Sequence, residues 1–375
     1  MRAVATQFGV ALSTVQRWVQ RADKQRLDRV NWEDRPSGAP TPVNRTSVDR
    51  EDLILTIRKQ LREASDLGEY GAAAIRRELQ NRKIKPLPSL RTIGCVVKRR
   101  GALDNRQRVR RVAPRPGWYL PDVVSGKAEL DSFDIVEGLV IKGGPEVEVF
   151  NGVSLHGGLV VSWPRERTVT AEFVSKAVVE HWRAVGRPRY VQFDNDPIFQ
   201  GAQVHPDTIG RVIRTCLSLD VIPVFAPPRE TGFQAAIEGY NGRWQAKVWA
   251  RFQHPSLEAL CDRSNRYVIA HRTRSAARVD AAPTRRPFSR KWKLDLQAHP
   301  RGRIVFIRRT NEKGKVQLLG HTFVVDKQWA NRLVRADLDL TKGRIGFYTL
   351  RRRAPDQQPL VAEVVYKLPK RKFHE

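Results

Sequence analysis

Apolar positions recur at two different periods along this chain, and the change of period divides it. Near the start, Val4, Phe8, Val15, Trp18 and Val19 are spaced for two short helices, with Gly9 at the turn and Ser13 or Thr14 as a cap for the second. Residues 31–46 are rich in Pro, Gly and Ser and read as a linker. Leu53, Ile54, Ile57 and Leu61 then mark one helix, and Ala72 to Leu79 mark another. After Pro86 and Pro88, Ser89 is placed to cap a third helix over Leu90–Val97, which runs into Lys98-Arg99-Arg100-Gly101. The pattern predicts helix-turn-helix modules over 1–30 and 47–104. The first lacks the helix that usually precedes such a pair, so the expectation is an N-terminal truncation.

From Leu130 the period shortens to two. Strands are expected at 129–141, 146–153 and 157–163, with Gly143-Gly144 and Gly157-Gly158 at the turns. Thr168 to Val185 returns to helical spacing, with Val169, Phe173, Val174, Ala177, Val178 and Trp182 on one face. Gly186-Arg187-Pro188 breaks it, and strand 189–193, helix 207–219, strand 221–225 and a helix from Phe233 to Phe252 follow. Short strands at Arg303–Arg308, Val316–Leu319, His321–Val325, Leu333–Leu338 and Arg344–Leu350 close the chain. The expected organisation is multidomain: helical modules, an α/β core over 126–275, and an all-β small barrel of SH3-like type over 301–375. Basic linkers at 105–125 and 276–300 flank the core.

Composition narrows the class. With 41% hydrophobic residues and 9 Trp among 375 residues, the chain can bury a sizeable core. The 68 Lys+Arg against 39 Asp+Glu make nucleic acid the leading partner. Eight basic residues and one acid between Lys98 and Gly117 suit backbone tracking. No apolar run approaches the ~20 residues of a membrane span, and no signal peptide opens the chain, so no membrane partner is expected. Cys95, Cys216 and Cys261 form no C-x-x-C pair, which argues against zinc and disulfides and for a reduced, cytoplasmic protein.

The chemistry is carried by acids. Asp194-Asn195 follows the apolar strand Tyr190–Phe193, and Glu238 lies 44 residues on, in a helix. Upstream, Glu129-Leu130-Asp131-Ser132-Phe133-Asp134 places acids on the first strand, 63 residues before Asp194 counting from Asp131. Three carboxylates from two strands and a helix can grip a pair of Mg²⁺ or Mn²⁺ ions, which cut and join phosphodiesters. Asp131 and Asp134 lie at odd separation, hence on opposite faces, so only one points into the site. Asp196 is a further candidate ligand. For DNA contact the candidates are Gln16, Arg17 and Gln20 on the second helix, Arg91, Lys98, Arg99 and Arg100 on the capped basic helix, and Asn195, Asn241, Arg243 and Lys247 around the acids.

The stretches Glu129–Asp131, Gln192–Asn195 with Phe199, Ile222–Pro228 and Gly232–Asn241 resemble the catalytic core of DDE transposases and retroviral integrases. With Pro88–Ile93 and Lys98–Gly101 added, the chain is most similar to bacterial insertion-sequence transposases. The resemblance implies an RNase H-like core, Asp131 as first acid with Asp194 and Glu238, and two Mg²⁺ or Mn²⁺ ions. It also implies cleavage at element ends, joining of the freed 3′-hydroxyl to target DNA, and a homo-oligomer on double-stranded DNA. An accessory ATPase and a nucleoid-associated cytoplasmic location belong to the same expectation. Two departures stand out: Asp196 replaces the usual glycine after Asp194-Asn195, and Gln200 to Pro206 lengthens the interval to Glu238. The alternative is a decayed or domesticated relative that binds DNA without catalysis.

Overall fold

The computed structural model describes residues 1–33, 46–104, 117–201, 205–230 and 232–374. Most of the linker at 31–46, most of the basic linker at 105–125 and part of the 200–206 loop lie outside the described residues. The chain forms two compact units: Met1–Ile57 with Ile75–Leu103, and Arg58–Ala74 with Asp104–Glu375. No helix among the described residues is long and apolar enough to cross a membrane.

The first unit opens with α1 (Arg2–Gln7) and α2 (Leu12–Ala22), joined through Gly9, whose φ of +63° is the left-handed turn conformation glycine permits. Ser13 and Thr14 do not cap α2. The N-cap is Ala11, with no side-chain cap, so both hydroxyl residues lie inside the helix. The unit also holds most of α3 (Val48–Ala64), most of α4 (Ala72–Asn81) and all of α5 (Leu90–Arg99). Here Ile54, Ile57, Ile75, Leu79, Ile93, Val96 and Val97 are buried. Ser89 caps α5 as expected, its Oγ accepting the Thr92 N–H at 3.0 Å.

The second unit is built on one nine-stranded sheet. Its strands are β1 (Leu130–Val140), β2 (Glu146–Ser154), β3 (Val160–Glu166), β4 (Tyr190–Phe193), β5 (Ile222–Phe225), β6 (Arg303–Arg309), β9 (Leu333–Asp339), β10 (Arg344–Thr349) and β11 (Leu360–Val365). Strands β7 (Lys315–Leu318) and β8 (His321–Val324) form a separate hairpin. The order in the sheet is β11-β10-β9-β6-β5-β4-β1-β2-β3. The helices are α6 (Pro121–Val124), α7 (Ala171–Val185), α8 (Pro197–Gln200), α9 (Arg211–Ser218), α10 (Ala235–Trp244) and α11 (Leu257–Asp280).

Alternation sorts the core by face. Phe133, Val191, Phe193, Phe225, Ile304 and Phe306 share one cluster with Val174, Val178 and Trp182 of α7 and Ile213 and Cys216 of α9. On the other face, Leu130, Tyr190, Ile222, Val224, Val305 and Ile307 pack with Trp118, Tyr119 and Phe233. Beyond them Val136, Val149 and Val160 pack with Ile237, Tyr240 and Trp244 of α10 and Leu260 and Tyr267 of α11.

The C-terminal strands correct the expected separate barrel. β5 and β6 pair in parallel, Val224 opposite Val305 and Phe225 opposite Phe306, so the last strands extend the core sheet. The reason is visible in β6: Ile304, Val305, Phe306 and Ile307 are all buried, which an interior strand of a large sheet requires. The expected linker at 276–300 is also partly structured. α11 runs to Asp280, and Arg286 exchanges backbone hydrogen bonds with Arg187 at 2.7 and 2.9 Å. The hydrophobic pattern marks neither α11 nor β11.

Candidate functional site

Strand register decides which acids meet. β1 and β4 pair in parallel with Leu130 opposite Tyr190 and Ser132 opposite Gln192. Two residues further along each strand, Asp134 stands beside Asp194, on the face that carries Leu130 and Tyr190. α10 packs on that same face through Ile237 and Tyr240 and carries Glu238 in its first turn. The electrostatics follow. Burial, then the charge of Asp194 and, less, that of Glu238 push the Asp134 carboxyl up to about 6, against a hydrogen bond from Asn241 that lowers it. Asp194 is raised as well, by burial first and then by the charges of Asp196 and Glu137.

Glu137 was not expected from the sequence. The register of β1 on β2 slips between Val136 and Leu139, with Gly138 at a φ of +71°. Such a bulge re-aims the side chain beside it, here bringing the Glu137 charge to bear on Asp194. Among the described residues, no Lys or Arg forms an ion pair with Asp134, Asp194 or Glu238. The donor set is therefore carboxylate oxygen without a neutralising cation among the described residues, which fits a hard divalent ion. Among the described residues no three His, Cys, Asp or Glu reach the spacing of a metal-ligand set. The acids share a neighbourhood without converging on one point.

A buried hydrogen-bonded row holds Asp134. Asn241 Nδ2 donates to Asp134 Oδ2 at 2.8 Å, and Asn151 Nδ2 donates to Asn241 Oδ1 at 2.9 Å. Ser162 Oγ donates to Asn151 Oδ1 at 2.6 Å, and the Tyr240 hydroxyl lies 2.7 Å from Ser162 Oγ. A serine hydroxyl has one proton, and that of Ser162 goes to Asn151, so Tyr240 is the donor to Ser162. Every donor in the row points towards Asp134, which therefore receives an N–H that opposes the upward pull of burial and neighbouring charge. Sheet register sets the row, because Asp134 lies opposite Asn151 and Asn151 opposite Ser162.

Asp131 is elsewhere. It lies on the face towards α7, with only 1% of its surface exposed. Arg285 grips it with both terminal nitrogens, Nη1 at 3.0 Å from Oδ2, and Trp182 Nε1 donates to the same Oδ2 at 2.9 Å. His181 Nε2 is 3.9 Å away. Burial pulls that imidazole down to about 4, so it is neutral. The expectation that Asp131 leads the acid group is thus corrected: its charge is consumed by Arg285, and Asp134 is the first-strand acid beside Asp194.

Several expected DNA contacts are engaged otherwise. Asn195 Nδ2 donates to the Ala226 carbonyl at 2.6 Å, and its own carbonyl accepts from Gln200 Nε2 at 2.7 Å, which ties β4 to the end of β5. Asp196 caps α8, accepting the Ile198 N–H at 2.7 Å. Asn241 is spent on Asp134 and Asn151, and Lys247 Nζ donates to the Gly68 carbonyl at 2.9 Å. In the first unit, Arg99 and Arg100 both bind the buried Glu51, Arg100 Nη1 at 3.3 Å. Gln16, Arg17, Gln20, Arg91, Lys98 and Arg243 are exposed.

No family model matches the chain, and no curated protein matches it. Solved structures similar to it include an intasome of simian T-cell lymphotropic virus, at 12% identity and a TM-score of 0.32, covering 65% of this chain and 83% of that one. The HTLV-2 integrase catalytic core domain in complex with magnesium is similar at 15% identity and a TM-score of 0.28, covering 42% and 87%. The catalytic core domain of BIV integrase is similar at 15% identity and a TM-score of 0.27, covering 38% and 81%. At such identity and score, activity does not transfer by likeness.

Proposed function

We propose that the chain is a DNA strand-transferring enzyme of the transposase and integrase class, with Asp134, Asp194 and Glu238 as its acids. The carrying observation is that Asp134 and Asp194 stand side by side at parallel strands, within electrostatic reach of Glu238, and that among the described residues no Lys or Arg pairs with them. A pair of Mg²⁺ or Mn²⁺ ions, when bound, supplies an activated oxygen nucleophile and a stabilised leaving oxygen. The chain's own residues prepare for this. Asn241 occupies one oxygen of Asp134 and holds the carboxylate in one orientation. The same asparagine lies one turn after Glu238, so it also ties the helix acid to the strand acid. Asp196 fixes the turn after Asp194 through its cap on α8.

The finer reading is an insertion-sequence transposase, homo-oligomeric on double-stranded DNA, with an accessory ATPase. The exposed Gln16, Arg17 and Gln20 on α2 and Arg91 and Lys98 on α5 would make its end contacts. The net charge of +29 suits a duplex partner. The test is a metal-dependent joining assay on element-end duplex. Asp134→Asn, Asp194→Asn and Glu238→Gln are each expected to abolish joining while leaving DNA binding in place. Joining at wild-type level in these variants overturns the assignment. Tight DNA binding by a wild-type chain that never joins, with either metal, selects the decayed, binding-only alternative.

A further inference from the structure

One rim of the sheet carries acids in one stretch and cations in the next. β6 runs parallel to β5, β9 antiparallel to β6, and β10 antiparallel to β9. The rim where β4 leads into Asp194 is therefore also where β6 ends, β9 begins and β10 ends. Arg308 sits at the end of β6, Arg332 immediately before β9, and Arg351 two residues past β10.

Each of the three is held in place, and none is neutralised by a described residue. Arg308 is half-buried over Phe306, 5.1 Å from the ring centroid, and its Nη1 donates to the Ile307 carbonyl at 2.9 Å and the Ala226 carbonyl at 3.4 Å. The Ala226 carbonyl also receives Asn195, the neighbour of Asp194, so Arg308 adjoins the acid site. Burial pulls its guanidinium down to about 10, and no carboxylate opposes the shift. A desolvated cation without an anion is costly, and an arriving anion offsets that cost. Arg332 and Arg351 are exposed and stack on the buried Trp329, at 4.8 and 5.1 Å from its ring centroid. Stacking engages the faces of the two guanidiniums and leaves their N–H edges to meet phosphate. Among the described residues none of the three forms an ion pair, whereas Arg309 and Arg352, at the same rim, both pair with Glu230.

We propose that Arg308, Arg332 and Arg351 form the seat for the duplex backbone flanking the scissile linkage, an inference that rests on the strand-transfer reading for where that linkage lies. Neighbouring strands lie ~4.8 Å apart, so the four steps from β4 to β10 span roughly 19 Å. At ~3.4 Å per base pair this is about half a turn of duplex.

The test is the salt dependence of affinity for a short fluorescent DNA duplex of arbitrary sequence. Each phosphate contact contributes ~0.9 to the slope of log affinity against log salt. Arg332→Gln/Arg351→Gln is expected to flatten that slope by about two contacts' worth. The control Arg301→Gln/Lys342→Gln removes the same charge at the opposite end of the same strands and is expected to leave it unchanged. Arg332→Lys/Arg351→Lys keeps the charge and should keep the slope, which separates lost contacts from lost packing on Trp329. An unaltered slope in the rim variant, or equal flattening in the control, overturns the proposal. An unaltered slope alongside loss of joining in Asp134→Asn sinks this surface and spares the enzyme. A flattened slope in the rim variant, alongside a wild-type chain that joins no DNA, spares the surface and sinks the enzyme.

Discussion

Asp131→Asn tests whether the first-strand aspartates divide into a structural acid and a chemical one. In the folded chain Asp131 accepts from Trp182 Nε1 and from both terminal nitrogens of Arg285, with almost no exposure to water. Asparagine preserves the shape but removes the charge and turns an NH₂ towards groups that are themselves donors. Arg285, whose charge Asp131 sustains against burial, is left without its anion. Breaking one side of a buried pair typically costs ~3–5 kcal/mol. At the ~2–4 °C per kcal/mol of domains of ~150–250 residues, the melting temperature should fall by roughly 6–20 °C. The double change Asp131→Leu/Arg285→Met should lose less than Asp131→Asn alone, because it leaves no orphaned charge. Thermal melts followed by circular dichroism give the first readout. DNA joining, measured well below the melting temperature, gives the second and should persist in Asp131→Asn. The reasoning is refuted if Asp131→Asn melts like the wild type. It is equally refuted if the folded Asp131→Asn protein joins no DNA while Asp134→Asn still does.

Other outcomes follow from the same geometry. Because Asp134 titrates near 6 in the folded chain against an ordinary 3.8, the folded state binds that proton more tightly. In chelator, the Asp134 contribution to stability should be fully present below 3.8 and be lost as pH rises through about 6. Asp134→Asn should flatten that decline in denaturant titrations across pH. Ser162→Ala strands Asn151 Oδ1 and the Tyr240 hydroxyl, at ~1–3 kcal/mol. It should also raise the Mg²⁺ concentration needed for joining, which a purely structural loss would not do. Gly152→Ala would set a Cβ 2.3 Å from Phe133 Cε1 and 2.8 Å from Val161 Cγ2, so urea unfolding should show a loss of ~1–3 kcal/mol.

The sequence made some of this legible and hid the rest for identifiable reasons. α7 was readable because Val174, Ala177, Val178 and Trp182 form a wide apolar stripe, and β4 and β5 because every residue in them is buried. α11 was not, because its buried residues are only Leu260, Ser264, Tyr267 and Val268, a narrow stripe with a polar member on a 24-residue helix. The choice between Asp131 and Asp134 could not come from alternation, which says only that they part. It depends on the pairing of Leu130 with Tyr190, and on Arg285, 154 residues from Asp131. The sheet extension had a local signal in the unbroken apolar run Ile304–Ile307, which suits a strand covered on both sides rather than the wall of a small barrel.

The parallel pairing of β5 with β6 also has a consequence for how the chain is made. Strand 222–225 finds its second neighbour only at 303–309, some eighty residues later. During synthesis the nascent polypeptide therefore waits with a four-residue apolar strand uncovered on that side until residues 303–309 have left the ribosome. A polypeptide stopped before Arg303 never covers it, and should self-associate through that naked backbone rather than behave as a tidy, independent fragment.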